Sequence, residues 1–413
     1  MFRRKYLELI KDPVWSRVYS LSLTLFFVMF ADAIVSFWVP NLLEDTFKSS
    51  VMMGLIVSFQ SVVGLGADLI FPTLLRTATV KRFVVWGIVA SICTSLVLLG
   101  STFRPWVAVF LIAMTFWGVY YEFLGFAKHQ FVADAVPIKD RAGAWGILGV
   151  FTNLAYFLGP LVGVWLLLRD VRAPSYTAIF LALISLTILF LSGKTHDRPM
   201  SVNIREVNLL AELDHWRVLF AKVWPIVVLS LFLGFIDATF WTIGAVLSAR
   251  LAEKSFLGGL FLPLYALPSL FIGFVVVKWG IYTGKKKMAE TFLLASGIFL
   301  GAIAVSGNVI WLLVMVLLSS IMLAIAYPLT DGVYSDIVAR MGRERKHLIG
   351  LNSSVINLSY IVAPIAVGLI ASKIGERMTF SALGGATIII AILLLIVTPR
   401  KLKLPQEEIK TWN

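Results

Sequence analysis

The sequence has little of what most catalytic and metal-binding proteins need. Its 413 residues include one cysteine, Cys93, which excludes an intrachain disulfide and a thiolate metal site. The four histidines, His129, His196, His215 and His347, do not have the spacing of metal ligands. No complete Gly-x-x-x-x-Gly-Lys-Ser/Thr phosphate loop and no His-Glu-x-x-His helix motif occurs. These absences argue against an enzyme and predict that the protein carries neither a metal nor another cofactor.

Charged residues are also scarce. They make up 14% of the chain, whereas 59% of the residues are hydrophobic and the mean hydropathy is +0.90. The hydrophobic residues form about twelve runs, and a helix of about 20 residues is long enough to cross the hydrocarbon core of a bilayer, about 30 Å thick. The sequence therefore predicts an all-α integral membrane protein with twelve transmembrane helices, here called spans 1 to 12.

The positive charge of the chain is distributed unevenly between the two sides of the predicted membrane. The formal net charge is +13, and 28 of the 36 Lys and Arg residues fall in the segments that share one side with the N-terminus. Such an excess is typical of cytoplasmic segments. It predicts a multi-pass protein of the cytoplasmic cell membrane with both termini inside. Because the charges are dispersed over seven short segments, they do not form a nucleic-acid-binding face.

The second half of the chain repeats parts of the first at an offset of about 204 residues. Phe-Ala-Asp-Ala around Asp32 matches Phe-Ile-Asp-Ala around Asp237, and Asn-Leu-Ala-Tyr in segment 153–160 matches Asn-Leu-Ser-Tyr in segment 357–364. Both of the longer segments end in proline. Internal duplication in a membrane protein is typical of transporters, in which the site lies near the mid-membrane region of the two repeats.

The duplication predicts three parts. Residues 1–192 form an N-terminal six-helix half, residues 193–222 a cytoplasmic linker with an amphipathic helix, and residues 223–413 a C-terminal six-helix half with a cytoplasmic tail. Within the second half, span 7 is predicted as one helix over residues 223–248, and span 8 over residues 257–279.

Three carboxylates lie inside predicted spans: Asp32 in span 1, Glu122 in span 4 and Asp237 in span 7. A charge at this depth costs several kcal/mol on simple estimates, so it is usually kept for a wet cavity, a partner or a proton. These residues are therefore the candidates for proton coupling and substrate binding. The alternative is that each is a neutral, hydrogen-bonded residue that ties two helices together.

Aromatic residues near these carboxylates are candidates for the walls of a substrate cavity, where they can contact an organic solute or a cation through the ring face. Ordinary packing or anchoring at the membrane interface explains each of them equally well. The candidates are Trp38, Tyr120, Tyr121, Trp241, Tyr265 and Tyr327.

The chain resembles the major facilitator superfamily over nearly its full length. Twelve spans, cytoplasmic termini and a central inner loop agree with that family, and Gly64 and Asp68 match the start of its motif after span 2. Phe71 and Pro72 then replace the usual turn, and Ile281 stands where the second copy would have its Asp. The resemblance implies the family's fold, with spans 1, 4, 7 and 10 lining a central cavity. It also implies alternating access between the two sides of the membrane.

Span 5 contains Gly159-Pro160-Leu-Val-Gly163, which resembles the core of a motif associated with antiporters. This resemblance favours export somewhat over import. Span 4, however, has no Lys or Arg between Arg104 and Lys128, where a common drug-antiporter motif has a basic residue.

Several residues are predicted to control opening on the inner side. Asp134 precedes Lys139 and Arg141 after span 4, and Asp336 precedes two arginines after span 10, so each segment can form a salt-bridged turn. The other candidates are Asp68 in the family motif, Asn153 and Pro160 in span 5, and Asn357 and Pro364 in span 11.

These observations predict a secondary active transporter that moves a small organic solute by alternating access. We expect proton coupling through Asp32 and Asp237 and, because the sequence places no cation inside the spans, a cationic or neutral amphiphilic substrate. The alternative is a lipid or amphiphile translocase of the same fold. The expected partners are the solute, protons and the lipid bilayer, with no nucleic acid, and the chain is expected to act as a monomer.

Overall fold

The computed structural model describes residues 12–75, 78–137, 140–192, 209–272, 284–341 and 345–398. Long α-helices account for almost all of these residues. The first half contains α1 to α6, which are Pro13–Phe47, Ser50–Leu74, Val80–Ser101, Val107–Ala135, Arg141–Leu167 and Ala173–Ser192. The second half contains α7 to α13, which are Leu209–Trp241, Ile243–Lys254, Phe261–Ala266, Lys285–Gly301, Val309–Arg340, Arg345–Ile374 and Glu376–Val397.

The membrane character of the chain is confirmed. Within the described residues, eleven helices are long and apolar enough to cross a membrane. Span 8 is described only in part, as an apolar helical segment over Phe256–Ile272, because residues 273–283 lie outside the described ranges. The protein is therefore an all-α, multi-pass membrane protein, as the sequence predicts.

Span 7 differs from its prediction as one unbroken helix over residues 223–248. Helix α7 ends at Trp241 and α8 begins at Ile243, with Thr242 between them in a non-helical conformation. The Thr242 hydroxyl donates to the carbonyl of Ala238 at 2.7 Å, which gives the chain a local alternative to regular helix geometry. Span 7, which carries Asp237, is thus interrupted at Thr242.

The predicted linker is described only from residue 209 onward. Helix α7 begins at Leu209 and runs without interruption into span 7, so the last part of segment 193–222 belongs to the same helix as Asp237. Residues 193–208 lie outside the described ranges.

Local sequence explains where several helices begin and end. Asp12 caps α1 by accepting from the backbone N–H of Val14 at 2.8 Å, and Pro13 occupies the first turn, where its missing N–H costs nothing. Asn308 caps α11 in the same way, accepting from Ile310 at 2.8 Å. Lys48 ends α1 in a left-handed conformation with φ of 51°.

The chain divides into two compact units. The first contains Met1–Lys48 and Phe59–Ile204, and the second contains Ser49–Ser58 and Arg205–Asn413. The start of α2 therefore packs within the second unit. Gly54 makes this possible, because a Cβ there would lie 2.2 Å from the carbonyl oxygen of Pro364.

Three helix pairings recur in the two units. In the first unit α1 packs on α5, and α3 packs on α4 and α6; in the second α7 packs on α12, and α10 packs on α11 and α13. In span numbers these are pairs 1–5, 3–4 and 3–6, followed by 7–11, 9–10 and 9–12. The pairing agrees with the internal duplication of the sequence, and it places each Asp-bearing helix against the helix that carries the repeated Asn–Tyr–Pro segment.

Candidate functional site

Asp32 lies on α1 in the interior of the first unit, where 2% of its surface is exposed. Its carboxylate accepts hydrogen bonds from the indole Nε1 of Trp117 at 2.6 Å, from the Tyr121 hydroxyl at 2.9 Å and from the Tyr156 hydroxyl at 2.5 Å. Trp117 and Tyr121 are four residues apart on α4 and so share one face of that helix. Three neutral donors from two helices therefore surround one carboxylate.

Asp237 lies on α7 in the second unit and has a similar environment. Its two carboxylate oxygens accept hydrogen bonds from the hydroxyls of Tyr265 on α9 and Tyr360 on α12. The side chain of Trp241, four residues further along α7, also interacts with this carboxylate. Among the described residues, neither Asp237 nor Asp32 forms an ion pair.

The two sites share a duplicated acid and a duplicated donor. Tyr156 and Tyr360 stand at equivalent positions of the repeated segments, and each donates to the Asp of its own unit. Neither tyrosine was among the predicted binding residues, although the constant sequence offset between them was a usable signal. Trp117 was also missed, and its four-residue spacing from Tyr121 was the only indication available.

The other aromatic candidates have different environments. Trp38 is completely buried, and its Nε1 has no hydrogen-bond acceptor within the described part of the chain. Tyr120 is 1% exposed, with its hydroxyl 3.5 Å from the carbonyl oxygen of Val28. Tyr327 on α11 donates to the carbonyl of Leu233 on α7 at 2.7 Å. None of these three side chains hydrogen-bonds to Asp32 or Asp237 among the described contacts. Tyr120 and Tyr327 are nevertheless near enough to interact electrostatically with Asp32 and Asp237, and Tyr327 also hydrogen-bonds to Tyr265.

One cation lies near the Asp32 site, contrary to the expectation of an interior without Lys or Arg. Lys128 is on α4, seven residues beyond Tyr121, which places both on the same side of the helix. The Lys128 and Asp32 charges interact electrostatically, and no carboxylate of the described residues is within ion-pair distance of Lys128. Tyr121 and Lys128 are about 10 Å apart along the helix axis. The long Lys128 side chain can bring its ammonium group closer to the Asp32 site than this separation.

Glu122 and Asp68 lie together in the first unit rather than acting as separate features. A close crossing brings their helices together, because a Cβ on Gly118 of α4 would lie 2.4 Å from the carbonyl oxygen of Gln60 on α2. Glu122 lies four residues after Gly118 on α4, and Asp68 lies four residues after Gly64 on α2. The two side chains hydrogen-bond to each other. Glu122 therefore belongs to a carboxyl pair and does not contact Asp32.

The two segments predicted to form salt-bridged turns are described only in part. After α4, the Arg141 guanidinium donates to the backbone carbonyls of Ala133 and Val136, at 2.5 and 3.2 Å, and so caps the end of the helix. Asp134 is exposed beside them. In the second unit the Asp336 carboxylate pairs with Lys285 at 2.8 Å, while Arg340 donates its Nε to the Asp336 backbone carbonyl at 3.1 Å. Lys139 and Arg343 lie outside the described residues.

The proline-containing segments occupy equivalent positions beside the acid-bearing helices. Both α5 and α12 continue through their prolines, Pro160 and Pro364. Gly159 lies against α1, where a Cβ would be 2.3 Å from the Cβ of Ala33. Asn153 and Asn357 lie two turns before the prolines and are partly buried. These helices therefore pack against α1 and α7.

A further buried carboxylate was missed entirely. Glu290 on α10 is 2% exposed and pairs at 2.8 Å with Lys286, which is 7% exposed. Thr398, just after α13, completes this cluster by hydrogen-bonding to both side chains. Because its position is close to the end of span 9, the sequence suggested an ordinary boundary residue.

We expect Tyr156→Phe and Tyr360→Phe each to lower stability by about 1 to 3 kcal/mol, because each leaves a buried carboxylate short of one donor. Tyr176→Phe is a matched control, since Tyr176 is 53% exposed on α6. Thermal unfolding of the detergent-purified variants measures the effect. Equal unfolding temperatures for all three variants would contradict the hydrogen bonding described here.

Comparison with known proteins agrees with this architecture. The family model of the Major Facilitator Superfamily matches residues 21–282 and again residues 235–412. The chain therefore belongs to the Major Facilitator Superfamily. It is accordingly a membrane transporter and not an enzyme. No match was found among curated proteins.

Solved structures show the same fold at low sequence identity. A crystal structure of the peptide transporter POT in complex with sulfate is 15% identical, with a TM-score of 0.72, and covers 93% of this chain and 94% of its own. The nucleoside transporter NupG is 13% identical, with a TM-score of 0.67 and coverages of 91% and 98%. The human organic anion transporter MFSD10 is 17% identical, with a TM-score of 0.61 and coverages of 93% and 100%.

Proposed function

We propose that this secondary transporter couples the movement of a small organic solute to protons through Asp32 and Asp237. The observation that carries the proposal is that both units hold a carboxylate inside a membrane span, surrounded by neutral hydrogen-bond donors and without an ion-pair partner among the described residues. An acid in this environment can gain or lose its charge by exchanging a proton, whereas a salt-bridged acid is held in its charged form. Alternating access then lets the proton enter from one side and leave to the other.

The charges near Asp32 also limit the solute. A cationic or neutral amphiphile is expected when carboxylates are the only interior charges. Lys128 adds a positive charge on the α4 face that carries Tyr121, so the first unit favours a neutral or zwitterionic solute over a strongly cationic one. The transporters of similar fold have peptide, nucleoside and organic anion substrates, and at 13–17% identity they support the fold without selecting one solute.

The remaining parts of the proposal rest on the sequence. The positive charge of the inner segments supports a location in the cytoplasmic membrane with both termini inside, where the chain acts as a monomer of two six-helix halves. The Gly159-Pro160-Leu-Val-Gly163 segment supports export. We assign control of inner-side opening to the Asp68–Glu122 pair, the Asp134 and Asp336 segments, and the paired Asn153–Pro160 and Asn357–Pro364 segments.

The test is a thermal-shift screen of neutral, zwitterionic and cationic solutes, followed by transport of the stabilising solute in proteoliposomes. We expect an imposed pH gradient to drive accumulation of the solute, and an imposed solute gradient to move protons. Solute movement that equilibrates without responding to the pH gradient would contradict proton coupling. It would leave the assignment to a family of transporters unaffected.

A further inference from the structure

An apolar groove of about 320 Å³ runs between α3 and α4 on the outside of the first unit. Its walls are Trp86, Val89 and Cys93 on α3 and Phe116 and Phe123 on α4, with Ala90 also lining it. Val89 is 46% exposed and Phe116 is 37% exposed, so the groove is open along its length.

The position of the groove determines what can occupy it. Both α3 and α4 are long and apolar enough to span a membrane, so the groove opens toward hydrocarbon and not toward water. Water is not bound stably in an apolar groove of this kind, because an ordered water molecule needs polar groups as hydrogen-bond partners. A lipid acyl chain that fills the groove makes dispersion contacts with its walls. An empty groove lacks these contacts.

A positive charge stands at one end of the groove. Arg82 is exposed in the first turn of α3 and lies four, seven and eleven residues before Trp86, Val89 and Cys93. This spacing places it on the same helix face as the groove residues. Its guanidinium has no carboxylate within ion-pair distance among the residues that the structure describes. By the distribution of basic residues, this end of α3 lies at the cytoplasmic leaflet, where anionic lipids are concentrated.

From the apolar groove and the arginine at its end, we infer that α3 and α4 form a binding site for one anionic glycerophospholipid. One acyl chain lies in the groove, and the phosphate of the headgroup receives the Arg82 guanidinium, whose planar donors match phosphate oxygens. The site faces the bilayer and does not include Asp32 or Asp237. It therefore holds a lipid as a bound component of the transporter rather than as its solute.

The neighbouring lysine provides a matched control. Lys81 carries the same charge one residue earlier, but its Nζ lies over the ring of Phe190 on α6, 5.3 Å from the ring centre. It is thus directed to a different helix. A headgroup seated in this site should depend on Arg82 and not on Lys81.

Photo-crosslinking tests the inference on the full-length protein in detergent. The probes are phosphatidylglycerol and phosphatidylcholine, each with a diazirine in one acyl chain, and crosslinked residues are mapped by mass spectrometry. We expect the phosphatidylglycerol probe to crosslink mainly at residues 86–93 and 116–123. Arg82→Gln should lower that yield roughly five-fold, the equivalent of one surface charge, whereas Lys81→Gln leaves it unchanged. Val89→Trp, which fills the groove, should lower crosslinking at Cys93 by either probe.

The exposed face of α13, with Ile389 61% exposed and Ile396 76% exposed, serves as an internal reference for unspecific lipid contact. The inference is overturned if crosslinks are as frequent there as in the groove, or if both probes give equal yields. Equal losses in Arg82→Gln and Lys81→Gln would also overturn it, because they would indicate a diffuse attraction to positive charge. The variants change the exposed side chains of Arg82 and Val89 and the half-buried side chain of Lys81. A well-folded protein is therefore expected throughout, and a monodisperse elution profile verifies it.

Discussion

Replacing Asp32 or Asp237 by Asn is expected to reduce gradient-driven solute accumulation to the level of protein-free liposomes. The amide keeps the shape of the carboxylate but cannot bind and release a proton, so the step that links the solute to the pH gradient is lost. The measurement is uptake in proteoliposomes with an imposed pH gradient. Solute exchange in the absence of a gradient should survive in at least one single variant, since binding does not itself require proton release.

Both variants should fold, because their surroundings can adapt to an amide. At position 32 the amide oxygen accepts from Trp117, which can only donate, and the amide nitrogen donates to Tyr121 and Tyr156, whose hydroxyls also accept. At position 237 the hydroxyls of Tyr265 and Tyr360 can accept as well as donate, so the amide nitrogen can donate to one of them while Trp241, which can only donate, faces the amide oxygen. The hydrogen bonding therefore survives a change that removes titration.

Asp45→Asn is a suitable control. Asp45 pairs with Lys48 at 3.4 Å on the surface, with 75% of its side chain exposed, and such pairs contribute only about 0 to 1 kcal/mol. Full gradient-driven accumulation by the Asp32→Asn/Asp237→Asn double variant would refute the coupling proposal. Loss of expression in both single variants, with normal expression of Asp45→Asn, would instead show that these acids mainly tie helices together.

The second large effect concerns the buried ion pair of the second unit. Lys286→Met is expected to destabilise the protein by about 3 kcal/mol, because it leaves the Glu290 carboxylate buried without its cation. Glu290 then retains only the longer hydrogen bond from Thr398, at 3.3 Å. Thermal unfolding in detergent measures the loss, together with proteolysis of the chain after residue 398.

Two further variants identify the cause of that loss. Lys287→Met changes the next residue, which is exposed, and should have little effect. The Lys286→Met/Glu290→Leu double variant removes both charges and should recover most of the stability, since an apolar pair of similar volume is often as stable as a buried ion pair. Equal losses in Lys286→Met and Lys287→Met would show that the pair does not stabilise the fold.

The sequence was sufficient to predict the number and type of most spans, and it singled out the two acids that the structure surrounds with hydrogen-bond donors. Long apolar runs have few alternatives to membrane helices, and Asp32 and Asp237 stand out because charges are rare there. The hydrogen-bond donors were harder to identify. Tyr121 and Tyr265 were expected as aromatic walls of a cavity and not as hydrogen-bond donors to an acid. Trp117 resembles an ordinary apolar packing residue until α4 is brought against α1.

The features that the sequence did not reveal depend on contacts between helices. Lys128 and Glu290 both lie near the ends of spans, where a charged residue normally reaches water, so composition alone gives no reason to bury them. The break after Trp241 rests on the conformation of Thr242, a residue that is common within helices. The association of Asp68 with Glu122 requires the close crossing of α2 and α4 at Gly118, which hydropathy does not encode.

The two acid sites are copies that have diverged. In each unit the acid and one tyrosine come from the same pair of duplicated spans. The first unit adds two donors from span 4, whereas the second adds Tyr265 from span 8 and Trp241 from span 7 itself. Ancestral symmetry is thus retained in the helices that hold each acid, and it is relaxed in the helices that complete the site. Because the two acids have different partners beyond the shared tyrosine, a substitution in span 4 can change the surroundings of Asp32 without touching the hydrogen bonds of Asp237, and a substitution in span 8 can do the reverse.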